Sequence, residues 1–196
     1  MIYVFDLDGT LIDSKERHWL LMKQLLEKHS VKPMDNFSQS YMEYKADGHS
    51  GLTYLNEVMG LSSKVAEEIQ KEWIEQIEDD EWLKHDTLYD DTIPTLRRLQ
   101  GDILFLTIRN NVQGLKNELD RLAMNNFETI VLSHNEKKSS ALKRLDKDCI
   151  MIGDTEIDLY AANDFGCAYY ILNRGFRSKQ YWDAHGVKSH TDLSLL

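Results

Sequence analysis

Two carboxylates near the start of the sequence stand two residues apart, directly after an apolar run. The run is Ile2–Phe5, and Asp6 and Asp8 come next in the segment Asp-Leu-Asp-Gly-Thr-Leu. Both side chains can point into one pocket if the chain bends after the run, and Gly9 supplies the backbone freedom for that bend. Positioned carboxylates act as nucleophiles or as general acids and bases, so this pair is a candidate catalytic centre.

A second pair of carboxylates follows a later apolar run. Asp154 stands two residues after Cys149–Ile152, and Asp158 lies about one helical turn further on, so both can face one spot. Three or four carboxylates in one pocket repel each other, and a hard cation relieves the repulsion. Oxygen ligands with room for water favour Mg²⁺. The predicted metal-binding residues are Asp6, Asp8, Asp154 and Asp158.

Groups suited to binding phosphate follow two further apolar runs. Thr107, Arg109 and Asn110 follow one run, and Lys137 and Lys138 follow the other, just before a predicted helix. A hydroxyl, backbone N–H groups and an ammonium can bind the oxygens of a phosphoryl group. Arg109 could instead reach a second anionic group or form a surface ion pair, and the sequence leaves both interpretations open.

The apolar runs predict the strands of a sheet. None of them alternates cleanly, which is typical of parallel strands covered on both faces. Helical patterns lie between them, so we expect an α/β fold: a Rossmann-like parallel sheet with helices on both faces. Ligands bind such sheets at the carboxyl ends of the strands, where the candidate residues stand. The predicted strands are Ile2–Phe5, Ile103–Leu106, Thr129–Leu132, Cys149–Ile152 and Ala168–Leu172.

One long segment interrupts this alternation. Residues 14–85 contain almost no strand-like run, and their apolar residues recur at helical spacing. We therefore predict an all-helical domain of about four helices at 14–85, inserted into an α/β core at 1–13 and 86–196. Its final helix, Glu67 to Glu81, is very acidic, which is typical of a solvated face.

A predicted loop of this inserted domain contains Lys45, Gly48, His49 and Ser50. These residues could contact a substrate, although ordinary loop polarity is the favoured interpretation. Arg174, near the end of the last strand, is a weaker candidate of the same kind.

The composition limits the partners. The chain has 196 residues and a net charge of −10, which disfavours nonspecific binding to nucleic acid or anionic membranes. The apolar run before Asp6 is too short for a signal-peptide core or a membrane span. We expect a cytoplasmic protein with a small-molecule partner; the sequence does not indicate its oligomeric state.

With these motifs the chain resembles the haloacid dehalogenase-like superfamily of phosphohydrolases over nearly its whole length. Asp-Leu-Asp-Gly-Thr-Leu, which starts at Asp6, looks like the first motif of the family. Thr107 looks like the second motif and Lys138 like the third. Gly153-Asp154, together with Asp158, looks like the fourth. The inserted helical domain looks like the cap that many members place after the first motif, covering the pocket and limiting substrates to small molecules.

The third motif departs from the pattern of many members. They have Lys-Pro where this chain has Lys137, Lys138 and a serine. We prefer Lys138, because Ala141 and Leu142 follow it as in the Lys-x-x-Ala-Leu pattern of related members. Lys137 would then be a surface residue.

The resemblance implies a Mg²⁺-dependent phosphatase acting on a small phosphomonoester. Asp6 would attack phosphorus and form an aspartyl-phosphate, and Asp8 would protonate the leaving oxygen and later activate water. Mg²⁺ would bind Asp6, Asp154 and the main-chain carbonyl of Asp8, with Asp158 orienting the metal shell. The residues of the second and third motifs would hold the phosphoryl oxygens. Dehalogenases of the family lack the second acidic residue, so Asp8 favours phosphate chemistry.

Three alternatives share parts of this pattern. A phosphomutase of the same family would use the same residues but return the phosphoryl group to a sugar. A phospho-Asp signalling module needs an aspartate after the third strand, where this chain has Leu132-Ser133-His134. A non-catalytic scaffold would be expected to have lost at least one of Asp6, Asp8, Lys138 or Asp154, and the sequence retains all four.

Overall fold

The computed structural model describes residues 1–145 and 148–196. Its strands are β1 (Ile2–Phe5), β2 (Ile12–Asp13), β3 (Thr87–Leu88), β4 (Asp102–Ile108), β5 (Glu128–Leu132), β6 (Cys149–Gly153), β7 (Ala168–Leu172) and β8 (Ser189–His190). Its helices are α1 (Lys15–Lys28), α2 (Phe37–Ala46), α3 (Gly51–Glu57), α4 (Ser63–Gln76), α5 (Asp80–Leu83), α6 (Thr92–Arg98), α7 (Val112–Arg121), α8 (Lys138–Leu142), α9 (Glu156–Phe165) and α10 (Lys179–Ala184).

Six strands form one parallel sheet in the order β5-β4-β1-β6-β7-β8. The predicted α/β fold is confirmed, and each of the five predicted strands is present. The sequence did not indicate β8 at the edge. The sequence also placed Thr107 after a strand, whereas β4 continues through Thr107 to Ile108. Both residues are β-branched, and they pair with Val131 and Leu132 of β5.

Alternation along the strands builds a core on each face of the sheet. In β1, Phe5 packs in a cluster with Leu96 of α6 and Leu115 of α7. Its neighbour Val4 points the opposite way. That residue packs in a second cluster with Leu142 of α8 and residues of α9. Helices therefore cover both faces, as predicted.

The cap segment, defined as residues 14–85, contains the five helices α1–α5. Its apolar residues form a core of their own, which includes Leu21, Tyr41, Tyr54 and Ile69. The acidic final helix predicted from Glu67 to Glu81 is divided in two. Residue Asp79 has an extended backbone, with ψ 146°, between the end of α4 and the start of α5.

A two-stranded antiparallel ribbon joins the cap segment to the rest of the chain. Ile12 pairs with Leu88, and Asp13 pairs with Thr87. The chain therefore leaves the core and returns to it at neighbouring points. Among the described residues, no helix has the combination of length and apolar composition needed to cross a membrane.

We expect the core of the cap segment to depend on Ile69. This residue is fully buried, whereas Ile74 of the same helix is 49% exposed. Replacing Ile69 with alanine should lower the free energy of unfolding by about 2–5 kcal/mol, because it leaves a cavity. Ile74→Ala is the matched control and should change it by less than ~0.5 kcal/mol. Urea unfolding followed by circular dichroism measures both, and equal effects would contradict the packing described here.

Candidate active site

Three buried carboxylates meet at the carboxyl ends of β1 and β6. Asp6 follows β1, Asp154 follows β6, and Asp158 lies in the first turn of α9. One oxygen atom of each lies within 4.8 Å of the others. The bend after β1 brings Gly9 against this group, with φ +77°, and a Cβ atom there would lie 2.4 Å from Asp154 Oδ2. Only glycine fits that position.

The ammonium of Lys138 lies among these carboxylates. Its Nζ donates to Asp6 Oδ1 at 2.6 Å and to Asp158 Oδ1 at 2.7 Å. Lys138 begins α8 and is buried, whereas Lys137 is exposed. The structure therefore brings Lys138, and not Lys137, to the acidic group.

Hydrogen bonds fix the other carboxylates. Asp154 Oδ2 accepts from the backbone N–H of Phe176 at 2.6 Å, and its Oδ1 accepts from the Thr10 hydroxyl at 3.2 Å. Asp158 Oδ2 accepts from the backbone N–H of Thr155 at 3.1 Å, which closes the first turn of α9. Rigid backbone groups thus hold these charges close together.

The acidic group favours a bound cation. Burial raises the pKa of Asp6 to about 7, although Lys138 opposes this effect. The pKa of Asp154 is raised well above its usual value by burial and by the charges of Asp6 and Asp158. One lysine does not offset three carboxylates, and a set of oxygen donors suits a hard divalent cation. The residues present therefore fit a divalent metal ion.

Asp8 is not one of the three carboxylates of this group and is paired with two arginines. Its Oδ2 accepts from Arg109 Nε at 2.8 Å, and its Oδ1 accepts from the guanidinium of Arg17, which belongs to the cap segment. Burial opposes the ionisation of Asp8, but the two arginines outweigh it and lower the pKa of this carboxyl. Asp8 is therefore ionised in this conformation.

The two arginines extend into a buried network. Arg17 Nε also donates to Asp86 Oδ1 at 3.1 Å, and Arg109 donates to Glu118 Oε2 at 3.1 Å. Burial raises the pKa of Asp86 to about 9, although Arg17 opposes this effect. The network connects Asp8 with the cap segment and with the chain that returns from it.

A cavity of about 220 Å³ lies at this end of the sheet. Thr107 is buried and lines it together with Asp6, Asp8 and Lys138. The cavity thus brings the Asp6 carboxylate together with a hydroxyl and an ammonium, which can hold the oxygens of a tetrahedral anion.

Two predicted substrate-binding residues lie elsewhere. Arg109 is buried against Asp8 and Glu118, so its ion pairs are not surface ion pairs. Asn110 is exposed, and its backbone N–H donates to Glu78 Oε2 of the cap segment at 2.8 Å. Asn110 therefore contacts the cap and does not line the cavity.

The sequence did not identify Arg17 as a residue of this site. A signal was present: Arg17 stands four residues before Leu21 on the apolar stripe of α1, where a charged side chain needs a buried partner. It also placed Lys45 in a loop, whereas Lys45 lies in the last turn of α2. Arg174 pairs with Asp91 and with the Thr10 carbonyl, so it supports the backbone beside the cavity.

Comparison with known proteins decides the family. Residues 1–166 match the family model of the haloacid dehalogenase-like hydrolases. The chain belongs to this family. The resemblance stated from the sequence motifs is thus confirmed. No curated protein sequence matches the chain.

Solved structures share the fold of this haloacid dehalogenase-like hydrolase. The haloacid dehalogenase-like protein SP0104 from Streptococcus pneumoniae is 17% identical, with a TM-score of 0.73 over 96% of this chain and 91% of that one. A putative phosphatase from Clostridium difficile is 20% identical, with a TM-score of 0.73 over 96% and 92%. A putative phosphoglycolate phosphatase from Lactobacillus plantarum is 14% identical, with a TM-score of 0.69 over 97% and 94%. At these identities the likeness shows the fold alone.

We expect Mg²⁺ to stabilise the protein through the acidic group. Protein freed of metal with EDTA should gain about 5–10 °C in Tm at Mg²⁺ concentrations near 100 times Kd. Asp154→Asn should abolish most of this gain without lowering the Tm of the metal-free protein, because it removes one of three repelling charges.

The control is Asp35→Asn, which changes an exposed carboxylate of the cap segment. It should retain the full gain in thermal scanning. An equal gain in wild-type protein and Asp154→Asn would show that Mg²⁺ binds elsewhere.

Proposed function

We propose that the protein is a Mg²⁺-dependent phosphatase that hydrolyses a small phosphomonoester, with Asp6 as the nucleophile. One observation carries the proposal: Asp6 lines the cavity at the ends of the strands, bound to Lys138 at 2.6 Å and with an oxygen atom within 4.8 Å of oxygens of Asp154 and Asp158. Asp6 therefore lies beside the Lys138 ammonium, which can bind phosphoryl oxygens, and beside two carboxylates that suit a metal ion.

In the first half of the reaction an oxygen of Asp6 attacks phosphorus, and the bond from phosphorus to the ester oxygen breaks. The product is an aspartyl-phosphate and an alcohol, whose oxygen needs a proton. Lys138 and Thr107 hold the phosphoryl oxygens during the transfer. Asp8, two residues from the nucleophile and lining the same cavity, supplies the proton.

In the second half Asp8 takes a proton from water, which attacks phosphorus and releases phosphate and Asp6. The observed pairing of Asp8 with Arg17 and Arg109 keeps it ionised, as this step requires. In the first half Asp8 has to hold a proton, so its contacts with the arginines have to loosen when substrate binds. Arg17 belongs to the cap segment, which gives the cap a direct influence on the acid–base group.

The metal ion would be held by Asp6, Asp154 and the main-chain carbonyl of Asp8, with Asp158 orienting its surroundings. When bound, it would supply positive charge that reduces the repulsion between Asp6 and the phosphoryl group. Lys138 already occupies one oxygen each of Asp6 and Asp158, which leaves Asp154 as the carboxylate without a lysine partner.

We expect Asp6→Asn to abolish turnover, with kcat at least ~10⁴-fold lower, because the amide cannot form the aspartyl-phosphate. The measurement is release of inorganic phosphate from a panel of phosphomonoesters with Mg²⁺. Asp35→Asn is the matched control and should keep the wild-type rate. Near wild-type activity of Asp6→Asn would contradict the proposed nucleophile. Release of an isomeric sugar phosphate in place of free phosphate would identify a mutase.

Asp8→Asn should have a different effect. Some phosphoenzyme should form, but its formation and breakdown should each slow by about 10²–10⁴-fold, because a general acid and base is lost while the nucleophile remains. Rapid acid quenching, followed by measurement of protein-bound phosphate and free inorganic phosphate over time, separates the two steps. An unchanged rate of breakdown would exclude Asp8 as the base.

A further inference from the structure

A second cavity lies between the cap segment and the core. It has a volume of about 420 Å³, and its walls include His18, Lys45 and Trp73 from the cap and Thr155 and Phe176 from the core. The catalytic cavity is also lined by Thr155 and Phe176, so the two cavities adjoin. The backbone of Phe176 binds Asp154, while its ring contacts His18 with centroids 4.5 Å apart. A leaving group attached to phosphorus would extend into this second cavity.

The ammonium of Lys45 stands among aromatic rings in this cavity. Its Nζ lies 5.6 Å from the ring centroid of Tyr41, 5.4 Å from that of Trp73 and 4.9 Å from that of Phe176. Its hydrogen-bonding partner is His18 Nδ1, at 3.0 Å. In the ranges that the structure describes, no carboxylate forms an ion pair with Lys45. A lysine that packs among aromatic rings without a carboxylate partner is unusual.

The neighbouring charges of the cavity are already paired. Arg177 donates to both carboxylate oxygens of Glu156, at 2.7 and 2.5 Å, and to the Lys45 carbonyl at 3.0 Å. Arg177 therefore positions the backbone of Lys45 and has a carboxylate of its own. Burial, together with Arg177 and Arg17, lowers the pKa of Lys45 to about 7. An anion beside Lys45 would reverse this effect and restore its charge.

We propose that Lys45 binds a second anionic group on the leaving-group side of the substrate. The inference rests on the proposed phosphatase function and narrows its substrate class to phosphomonoesters whose leaving group has a carboxylate or a second phosphate. The contacts of the leaving group are then one charged hydrogen bond from Lys45, which His18 orients, and apolar contacts with Trp73 and Phe176.

Matched substrate pairs test the proposal. One pair is phosphoglycolate and its neutral amide, which differ in the charge of a carboxyl group; the other is glucose 1,6-bisphosphate and glucose 1-phosphate. Para-nitrophenyl phosphate, with no second anionic group, reports the basal activity. We expect the wild-type kcat/KM to be at least ~10-fold higher for the anionic member of one pair. The preferred pair identifies carboxylate or phosphate as the group that is bound.

The variant Lys45→Met keeps an unbranched side chain that packs well among aromatic rings, and it removes the charge. It should lower kcat/KM for the preferred anionic substrate by about 10- to 100-fold, chiefly through KM, and change the rates with the neutral substrates by less than ~3-fold. The control is Lys64→Met, which changes an exposed lysine of the same segment. Lys45→Gln serves as a second variant if methionine prevents folding.

Binding without turnover gives an independent readout. Calorimetric titration of the Asp6→Asn protein with both members of each pair should show tighter binding of the anionic member, and the double variant with Lys45→Met should lose that difference. Equal kcat/KM and equal binding for the charged and neutral substrates, or equal losses of kcat/KM for both in Lys45→Met, would overturn the proposed subsite. Neither result would contradict the proposed phosphatase function. Failure of the wild-type protein to hydrolyse any of the five esters would contradict the proposed function and this inference with it.

Discussion

Repulsion between buried carboxylates is the constraint on which the structure of this protein depends. Asp6, Asp154 and Asp158 bring oxygen atoms within 4.8 Å of one another in the interior, where isolated charges are costly. Lys138 offsets part of that cost through two charged hydrogen bonds. Rigid elements hold the carboxylates together against the remaining repulsion. These elements are two parallel strands that end side by side and a helix whose first turn is closed by one of the carboxylates itself. The neighbouring bend after β1 accepts only glycine because it packs so tightly against this group.

Environment gives the two carboxylates of the first motif opposite acid–base properties. Asp6 is buried beside other acids, and its pKa rises to about 7; Asp8 lies between Arg109 and Arg17, and its pKa falls. This separation of roles between neighbouring acids is a general device of active sites. Here one of the arginines comes from the cap segment. The position of the cap therefore bears on the chemistry of the core through a single buried side chain, in addition to any role in excluding water.

The sequence allowed the sheet and the acidic group to be predicted because both leave local signals: an apolar run, followed directly by aspartate. Residues whose role depends on distant partners left weaker signals. Arg17 and Asp86 are 69 positions apart, and no spacing rule relates them. The burial of Arg109 against Glu118 follows from the packing of α7, which composition does not reveal. The strands β2 and β3 have two residues each, too few for any periodic pattern.

The ribbon formed by β2 and β3 also bears on how the chain reaches its native state. β1 must pair with β4, although the whole cap segment separates them in sequence. Closing so long a loop has an entropic cost that grows with its length. The cap has an apolar core built from its own residues, and its two ends meet where Ile12 pairs with Leu88. If the cap forms first, it shortens the effective loop to the span of that ribbon, so the inserted helices lower the kinetic barrier to pairing the central strands of the sheet.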